Sequence, residues 1–228
     1  MNYTNIKSRK KSFSWSMTVL TINIIAAGLI VAGILYYYNI IPNMKYSNDD
    51  FDIPTYISSV DKDRDGIDDQ TDILNGVMEY ISTRPKYKSK YYACGYPDDG
   101  YGVCTDVVAF GLKSAGYDLM ELVNAHVIKN RDLYNIEVVD KNIDFRRVNN
   151  LDKYFSENAI SLTTDVSEIQ QWQGGDIVVF KGHIGIVSNK RNRNGVPFVI
   201  HHARPFQLNY EEDILEKRDD LISHYRIS

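Results

Sequence analysis

The sequence is poor in residues that cross-link or interrupt a fold, since its 228 residues include 2 cysteines and 6 prolines. Two cysteines are too few for a disulfide framework, which excludes the small disulfide-rich scaffolds of secreted proteins. A chain of this length buries an ordinary hydrophobic core instead. Internal repeats are also absent, and the length fits one domain plus a short additional segment.

Acidic residues are missing from the start of the chain. No Asp or Glu precedes Asp49, whereas Lys7, Arg9, Lys10 and Lys11 all lie in this stretch. In the rest of the chain acidic side chains clearly outnumber basic ones. A body this acidic gives no electrostatic support for binding DNA or RNA, so we expect no nucleic-acid partner.

An apolar run without charge follows the basic cluster, from Met17 to Tyr38. About 20 apolar residues suffice for a helix that spans a bilayer. The sequence predicts a cytoplasmic basic tail at 1–14 and a transmembrane anchor at 15–38, flanked by Trp15 and Tyr36-Tyr37-Tyr38 as interfacial aromatics. A cleaved signal peptide is the alternative, but its cleavage site needs small residues where three tyrosines stand. Both interpretations place the rest of the chain outside the cell membrane.

The remaining chain divides into three parts by composition. Residues 39–60 contain Pro42 and Pro54 among polar residues and are expected to form a linker. The acidic segment 61–72 follows, and we expect residues 73–228 to form one globular domain.

The domain combines predicted helices with predicted strands. Apolar residues recur at helical spacing from Ile73 to Ile81, and a second helix is predicted from Cys104 to Ala115. The segments Asp176–Phe180, His183–Val187 and Val196–His202 are β-rich. Helices followed by strands that pair through turns predict an α+β fold with an antiparallel sheet.

Cys104 lies at the start of the second predicted helix, after a glycine-rich loop. The partial positive charge and unpaired N–H groups of a helix N-terminus lower the pKa of a thiol, and the thiolate is the nucleophile. The position therefore predicts a catalytic nucleophile. Two alternatives stay open at this point: a small buried hydrophobe, and a disulfide with Cys94 in an oxidising compartment.

His183 opens an alternating strand beside Gly182 and is the predicted general base for that thiol. A third polar residue should orient the imidazole, and His201 and His202 end the next strand. Neighbouring strand residues point to opposite faces, so only one of the two shares the face of His183. A two-residue turn at Asn194-Gly195 selects His202 and a five-residue loop selects His201, and spacing alone leaves the choice open.

Five blocks stand out along the domain, and they are Gly102–Val108, Asn142–Val148, Gly175–Val178, His183–Val187 and His224–Arg226. In this order they resemble a bacterial family, the domain-of-unknown-function family number twelve eighty-seven, over roughly Ile73 to the C-terminus. The family is similar to the NlpC-type and CHAP cell-wall peptidases and amidases, which implies a papain-like fold. One departure is that the wider group carries an acidic residue just before the cysteine, whereas here Asp106 comes two residues after it.

The resemblance implies Cys104 as nucleophile, His183 as base and His201, rather than His202, as the third residue. It implies a cysteine peptidase or amidase that cleaves amide bonds in peptidoglycan and uses no cofactor for catalysis. Two other functions fit the same fold. One is a thiol acyltransferase or transpeptidase, and the other is a module that binds the cell wall without cleaving it.

The acidic segment before the first helix fits the template of a calcium-binding loop, in which oxygen ligands alternate around a glycine at the sixth position. The sequence therefore predicts a structural Ca²⁺ site that has no part in the reaction. The alternative is a solvated acidic loop that caps the following helix. The ligands that the template assigns are Asp61, Asp63, Asp65, Ile67 through its backbone carbonyl, Asp69 and Asp72.

Overall fold

A computed structural model of the chain describes residues 4–37 and 44–227. The chain divides into two compact units, Met1–Pro42 and Asn43–Ser228. Tyr38, the last residue of the expected anchor, and residues 39–43 of the expected linker lie outside the described residues.

The first unit is one long helix, α1, Thr4–Tyr37. Its segment Trp15–Leu35 has a mean hydropathy of 2.3 and is long and apolar enough to cross a membrane. Most of the large apolar side chains of this segment are exposed. Length and composition therefore fit an anchor, and a signal sequence near the N-terminus meets the same criteria.

The second unit mixes helices with short strands, so the predicted α+β architecture is confirmed. Its helices are α2 Asp69–Ser82, α3 Cys104–Ser114, α4 Leu119–Lys129, α5 Arg131–Tyr134, α6 Lys141–Asp144 and α7 Val148–Asn158. Its strands are β1 Lys86–Tyr87, β2 Tyr101–Gly102, β3 Ile160–Ser161, β4 Ile177–Phe180, β5 His183–Arg191, β6 Pro197–Ile200, β7 Glu211–Glu212 and β8 Leu221–Arg226.

Six of the strands form one sheet in the order β3-β8-β4-β5-β6-β7, and every neighbouring pair is antiparallel. The centre of the sheet is β4, whose four residues are all buried. Strand β4 turns into β5 through Lys181-Gly182, so that Phe180 pairs with His183. The predicted base therefore lies at the end of a hairpin, where a side chain can reach a cleft.

The helices α2 and α3 pack on one face of the sheet. Ile73 and Val77 of α2 and Leu112 of α3 belong to the same buried cluster as Ile184 of β5. The two helices approach closely at Gly111, where a side-chain carbon would collide with Val77. The buried face of α3 thus carries Cys104 to the sheet, next to the strand that begins with His183.

The opposite face of the sheet is also covered. Val178 of β4, Val187 of β5 and Val199 of β6 form a second buried cluster with Trp172. A sheet buried on both faces explains why β4 reads as a continuous apolar run instead of alternating. The same burial makes its polar residues costly unless they are paired.

Most of the expected linker 39–60 is part of the domain in the structure. Tyr46 pairs with Arg191 through two backbone hydrogen bonds, of 2.9 and 2.8 Å. Asn48 accepts a hydrogen bond of 2.6 Å from Arg191 Nε, and Ile53 is buried. Residues 44–60 therefore pack on the domain, because Arg191 at the end of β5 offers buried donors that this segment satisfies.

Candidate active site

Cys104 is the first residue of α3, as the sequence predicts. Val103 before it has extended backbone angles, and its N–H donates to Asp106 Oδ2 at 2.8 Å. A carboxylate in the first turn satisfies a helix-start N–H and interacts favourably with the helix dipole. The bond fixes the direction in which the chain enters the helix at the candidate nucleophile.

Arg146 holds the same carboxylate from the other side. Its Nε lies 2.6 Å from Asp106 Oδ1 and its Nη2 lies 2.9 Å from Oδ2, and both side chains are buried. The remaining terminal nitrogen donates to the carbonyl of Lys90 at 2.7 Å. This bidentate ion pair ties the block Asn142–Val148 to the first turn of α3. The acidic residue after the cysteine is thus a structural clamp, and sequence reasoning noted it without finding its partner.

The thiol of Cys104 lies against strand β5 and accepts a hydrogen bond from the backbone N–H of Ile184. Burial raises the pKa of this thiol above its ordinary value, although the N–H groups of Ile184 and Thr105 act in the opposite direction. The expectation that the helix N-terminus leaves a thiolate is therefore wrong for the resting site. The cause is desolvation, which outweighs the N–H groups of the helix start.

His183 and His201 are in direct contact. His183 Nε2 lies 2.9 Å from His201 Nδ1, with both rings buried and nearly perpendicular to each other. Their pairing follows from the register, because β5 and β6 are joined by the five residues 192–196 and Ile186 pairs with Ile200. The longer of the two connections considered from the sequence is the one present, and it selects His201.

Gly185 allows strand β6 to approach β5 closely. A side-chain carbon at this position would lie 2.6 Å from Val199 Cγ1, 2.9 Å from the carbonyl of Ile200 and 3.2 Å from His201 Cβ. All three distances are tighter than an ordinary van der Waals contact. A glycine two residues after His183 therefore lets the chain that leads into His201 run close to β5.

A carboxylate extends the pair of histidines into a chain of three. Glu212 Oε2 lies 3.5 Å from His201 Nε2, and Arg204 Nη2 lies 2.8 Å from the other oxygen. Burial raises the pKa of Glu212, but the nearby His201 and Arg204 lower it more. His201 Nε2 forms no hydrogen bond in the described structure, so its contact with Glu212 is electrostatic. An ionised Glu212 favours a proton on His201 Nε2, so that His201 Nδ1 accepts from His183 and His183 Nδ1 keeps its lone pair.

No local pattern indicates Glu212, because it lies in a two-residue strand with no motif around it. Its neighbour Glu211 contacts Ser188 and Lys45 instead. Only the pairing of β7 with β6, which sets Val199 opposite Glu212, brings this carboxylate beside His201.

The candidate nucleophile and base are linked through consecutive residues of β5. Among the described residues, the thiol of Cys104 contacts the backbone of Ile184, the residue after His183, while the imidazole of His183 contacts His201, and no hydrogen bond joins the two side chains. Burial, followed by the charges of His201 and Arg218, lowers the pKa of His183 to about 3. At rest the thiol of Cys104 and the imidazole of His183 are therefore both neutral, and a neutral imidazole can accept a proton.

His202 has a different environment from His201. Its ring packs edge-on against Tyr87 and Tyr210, with centroids 5.3 and 5.0 Å apart. Burial, together with the charge of His201, lowers its pKa to about 4. Its Nδ1 is buried without a hydrogen-bond partner. The residue thus belongs to an aromatic cluster and not to the chain of His183, His201 and Glu212.

Tyr80 is a buried polar group near the nucleophile that the sequence did not reveal. Its hydroxyl has no hydrogen-bond partner, and a side-chain carbon at Gly102 would collide with it. Burial and the charge of Asp106 raise its pKa. The ring is fixed by stacking on Phe110, with centroids 4.5 Å apart. The neutral hydroxyl of Tyr80 therefore lies beside Gly102, which precedes Cys104 by two residues in the sequence.

Two clefts are lined by sequence neighbours of the candidate catalytic residues, although neither is lined by Cys104, His183 or His201 themselves. One, of about 470 Å³, includes His202, which follows His201, and Tyr101, which precedes Cys104 by three residues. The other, of about 840 Å³, includes Gly182, which precedes His183. The first is lined mainly by aromatic and apolar side chains and the second by polar ones, including Arg147 and Lys153. Both volumes fall in the range of ligand-binding sites.

A second histidine cluster lies in the same sheet, at β8. His224 Nε2 lies 3.0 Å from Asp176 Oδ2, and Arg226 donates two bonds of 2.7 Å to the same carboxylate. His224 Nδ1 lies 2.8 Å from the carbonyl of Thr163, and the ring stacks on Trp172 at 3.8 Å. The blocks Gly175–Val178 and His224–Arg226 are therefore joined by a saturated internal network.

The acidic loop brings together three of the carboxylates that the calcium template assigns. Oxygens of Asp61, Asp63 and Asp65 lie within 4.8 Å of one another. Asp72 is buried, and burial followed by the charges of Asp65, Asp63 and Asp61 raises its pKa to about 6. The carboxylate of Asp69 is already engaged inside the protein, because it accepts hydrogen bonds from the N–H of Lys62 and the hydroxyl of Tyr117.

The two cysteines are both free thiols, so the alternative of a disulfide between Cys94 and Cys104 is not present. Cys94 is exposed and hydrogen-bonds to the carbonyl of Tyr96 at 3.3 Å.

Comparison with known proteins identifies relatives without an assigned activity. Residues 74–227 match the family DUF1287, described as a domain of unknown function. The "Uncharacterized protein YijF" of Escherichia coli (strain K12) is 34% identical over 167 residues, which cover 68% of this chain and 80% of the relative. No solved structure matches the chain. Cys104, His183, His201 and Glu212 lie inside the matched region, whereas the acidic loop 61–72 precedes it.

Proposed function

The chain belongs to the DUF1287 family, and on that premise we propose that it is a membrane-anchored cysteine hydrolase that cleaves amide bonds in peptidoglycan. The observation that carries the proposal is the chain from Glu212 through His201 to His183, because the thiol of Cys104 contacts the backbone N–H of Ile184, the residue after His183. A helix that begins with a cysteine and packs on an antiparallel sheet that supplies a histidine also supports a papain-like fold for the domain.

The reaction starts from the neutral thiol and imidazole. As the sulfur of Cys104 attacks the substrate carbonyl, the S–H proton passes to Nδ1 of His183, and a tetrahedral intermediate forms. The imidazolium is stabilised by His201, whose far side faces the ionised Glu212. Such a neutral pair needs no preformed thiolate, because the base takes the proton during the attack.

His183 then returns the proton to the nitrogen of the amide, the C–N bond breaks and the amine leaves. A water molecule attacks the thioester, gives one proton to His183 and releases the carboxylic acid, while the sulfur takes the proton back. Negative charge on the carbonyl oxygen is stabilised by N–H groups in the first turn of α3. The neutral hydroxyl of Tyr80, which has no hydrogen-bond partner in the described structure and lies beside Gly102, is proposed as an additional donor.

The two clefts support a substrate with two chemically different halves. Peptidoglycan has a peptide stem with free carboxylates and a glycan of sugar rings. The polar cleft, with Arg147 and Lys153, fits the carboxylates, and the cleft with Tyr101, His202 and Tyr210 offers aromatic faces on which a sugar ring packs. The scissile amide then lies between them, at Cys104 and His183.

The proposed location follows from the first helix. Trp15–Leu35 anchors the chain, and the basic residues before it keep the N-terminus in the cytoplasm, which leaves the domain on the side of the cell wall. Protease added to intact protoplasts should digest the domain. Protection of the domain from protease would exclude both this topology and peptidoglycan as the substrate.

The test of the activity uses the full chain in detergent micelles with purified muropeptides, and mass spectrometry of the products. The unmodified chain should release fragments whose masses sum to that of the substrate plus one water, and Cys104→Ala should release none. Cys94→Ala is the matched control, because it removes the other thiol at an exposed position and should keep the activity. Equal activity of Cys104→Ala and the unmodified chain would contradict the mechanism.

A second candidate function is a module that binds the cell wall without cleaving it. It is favoured by one observation, the protonated, buried thiol of Cys104 that has no hydrogen bond to His183. Retention of the chain on isolated cell walls, with no change in fragment masses over long incubation, would support this function over hydrolysis. Products joined to an added amine, in place of water, would instead identify a transferase.

A further inference from the structure

We propose that the loop 61–72 is a binding site for one Ca²⁺ ion, which braces the start of α2 against the helix that carries the candidate nucleophile. This inference does not depend on the proposed hydrolysis. The ligands are the carboxylates of Asp61, Asp63, Asp65 and Asp72 with the backbone carbonyl of Ile67.

Three of these carboxylates are already gathered. The oxygens of Asp61, Asp63 and Asp65 lie within 4.8 Å of one another, a separation that one cation can bridge. Acidic side chains that converge in this way repel one another unless a positive charge lies among them. In the described part of the chain, no Lys or Arg forms an ion pair with any of the three.

The second, independent observation is Asp72. It lies in the first turn of α2, its residue is 6% exposed, and its Oδ2 has no hydrogen-bond partner in the described structure. A buried carboxylate oxygen without a partner is destabilising, and such groups are nearly always satisfied by a donor, a water or an ion. Asp72 stands at the twelfth position of the loop counted from Asp61, where the calcium-loop template has its closing carboxylate.

The chemistry of the donors selects the ion. All four side chains offer hard carboxylate oxygen and none offers nitrogen or sulfur, which disfavours Zn²⁺. Ca²⁺ accepts six to eight oxygens at roughly 2.3–2.6 Å in a flexible geometry, whereas Mg²⁺ requires a near-ideal octahedron at about 2.1 Å. A loop that supplies alternating aspartates, one carbonyl and room for water fits the larger ion.

The position of the loop gives the ion a structural role. Ser114 at the end of α3 donates to the carbonyl of Asp72 at 3.1 Å, and Tyr117 donates to Asp69. The loop is therefore joined to the end of α3, the helix whose first residue is Cys104. An ion that fixes Asp72 and the loop together stabilises the packing of α2 on α3.

The test is thermal unfolding of the full chain in detergent micelles, after treatment with a chelator and then with Ca²⁺ added. At a Ca²⁺ concentration about a hundred times the dissociation constant, Tm should rise by about 5–10 °C. An equal concentration of Mg²⁺ should give a smaller rise, and titration calorimetry with Ca²⁺ should give one ion per chain.

Variants separate a metal site from a merely acidic loop. Asp72→Asn and the surface variant Asp63→Asn should each lose the Ca²⁺-dependent rise in Tm. Asp132→Asn is the matched control, since it removes an exposed carboxylate from α5 and should keep the rise. If Asp72→Asn fails to fold, Asp63→Asn carries the test alone. No rise in the unmodified chain, or an equal rise in Asp63→Asn, would overturn the proposal.

Discussion

The sheet holds two sets of histidine, carboxylate and arginine that use the same residue types in opposite ways. At β8, His224, Asp176 and Arg226 form bonds of 2.7–3.0 Å, and every nitrogen of the ring is satisfied. At the end of β6, His201 Nε2 lies 3.5 Å from Glu212, and the other ring nitrogen, Nδ1, contacts His183.

The two sets differ in whether a ring nitrogen is left to accept a proton. A histidine whose two nitrogens are bonded inside the core holds elements together and has no site for a substrate. A histidine chain whose last member keeps a lone pair can accept a proton. Residue type and burial alone do not separate the two sets, because all three histidines are less than a tenth exposed.

The largest expected effect is the loss of hydrolysis when His183 is replaced. Replacing His183 by Gln should lower the rate of amide hydrolysis by about 10²–10⁴-fold, since the general base is lost, with little change in Tm. The rate is measured as product release from muropeptides under saturating substrate. A rate within about twofold of the unmodified chain would mean that His183 is not the base.

The same substitution at His224 should lower the free energy of unfolding. His224→Gln removes a ring stacked on Trp172 and leaves Asp176 with one donor fewer, which should cost about 2–4 kcal/mol of the free energy of unfolding. Denaturant unfolding measures the cost. At a temperature where His224→Gln is folded, its rate of hydrolysis should match that of the unmodified chain, and a specific loss of rate would remove the distinction between the two sets.

Substitutions of the adjacent residues His201 and His202 test which of the two is the third residue of the site. His201→Gln should reduce the rate at least about tenfold, because His183 loses the group that sets its tautomer and stabilises its charge. His202→Gln should change the Michaelis constant more than the turnover number, since its ring lines a cleft and packs on Tyr87 and Tyr210. The reverse pattern of turnover numbers would make His202 the third residue of the site.

His183 and His202 should make the stability of the fold sensitive to acid. The pKa of His183 is lowered to about 3 and that of His202 to about 4, both below the ordinary value of 6.5. The unfolded chain therefore binds protons below about pH 6.5 that the folded chain takes up only near pH 3–4, so the free energy of unfolding should fall as the pH falls from about 6.5 to 4. The Tm measured across this range should fall less steeply in His202→Gln than in the unmodified chain.

The smallest effect concerns the two thiols. Because burial raises the pKa of Cys104 while Cys94 is exposed, iodoacetamide should alkylate Cys94 faster than Cys104 at pH 7 in the absence of substrate. Peptide mass spectrometry at timed intervals measures both rates. Faster labelling of Cys104 would show that its thiolate is already formed at rest, and the mechanism would then begin from an ion pair.

The sequence by itself determined the elements of local origin. Uncharged apolar length predicted α1, helical spacing predicted α2 and α3, and the position of Cys104 at a helix start was correct to the residue. The contact of His183 with His201 was among the two pairings considered, and the resemblance favoured it. These features depend on periodicity and on turn residues, which are properties of neighbouring positions.

The tertiary structure alone decided the electrostatics and the distant partners. Glu212, Arg146 and Tyr80 reach the site from other segments of the chain through strand pairing and helix packing, which no local pattern records. The ionisation of Cys104 was misjudged for the same reason. Its helix position favours the thiolate, but the cost of desolvation depends on how much of the fold covers the sulfur, and that is fixed only when α3 packs on β5.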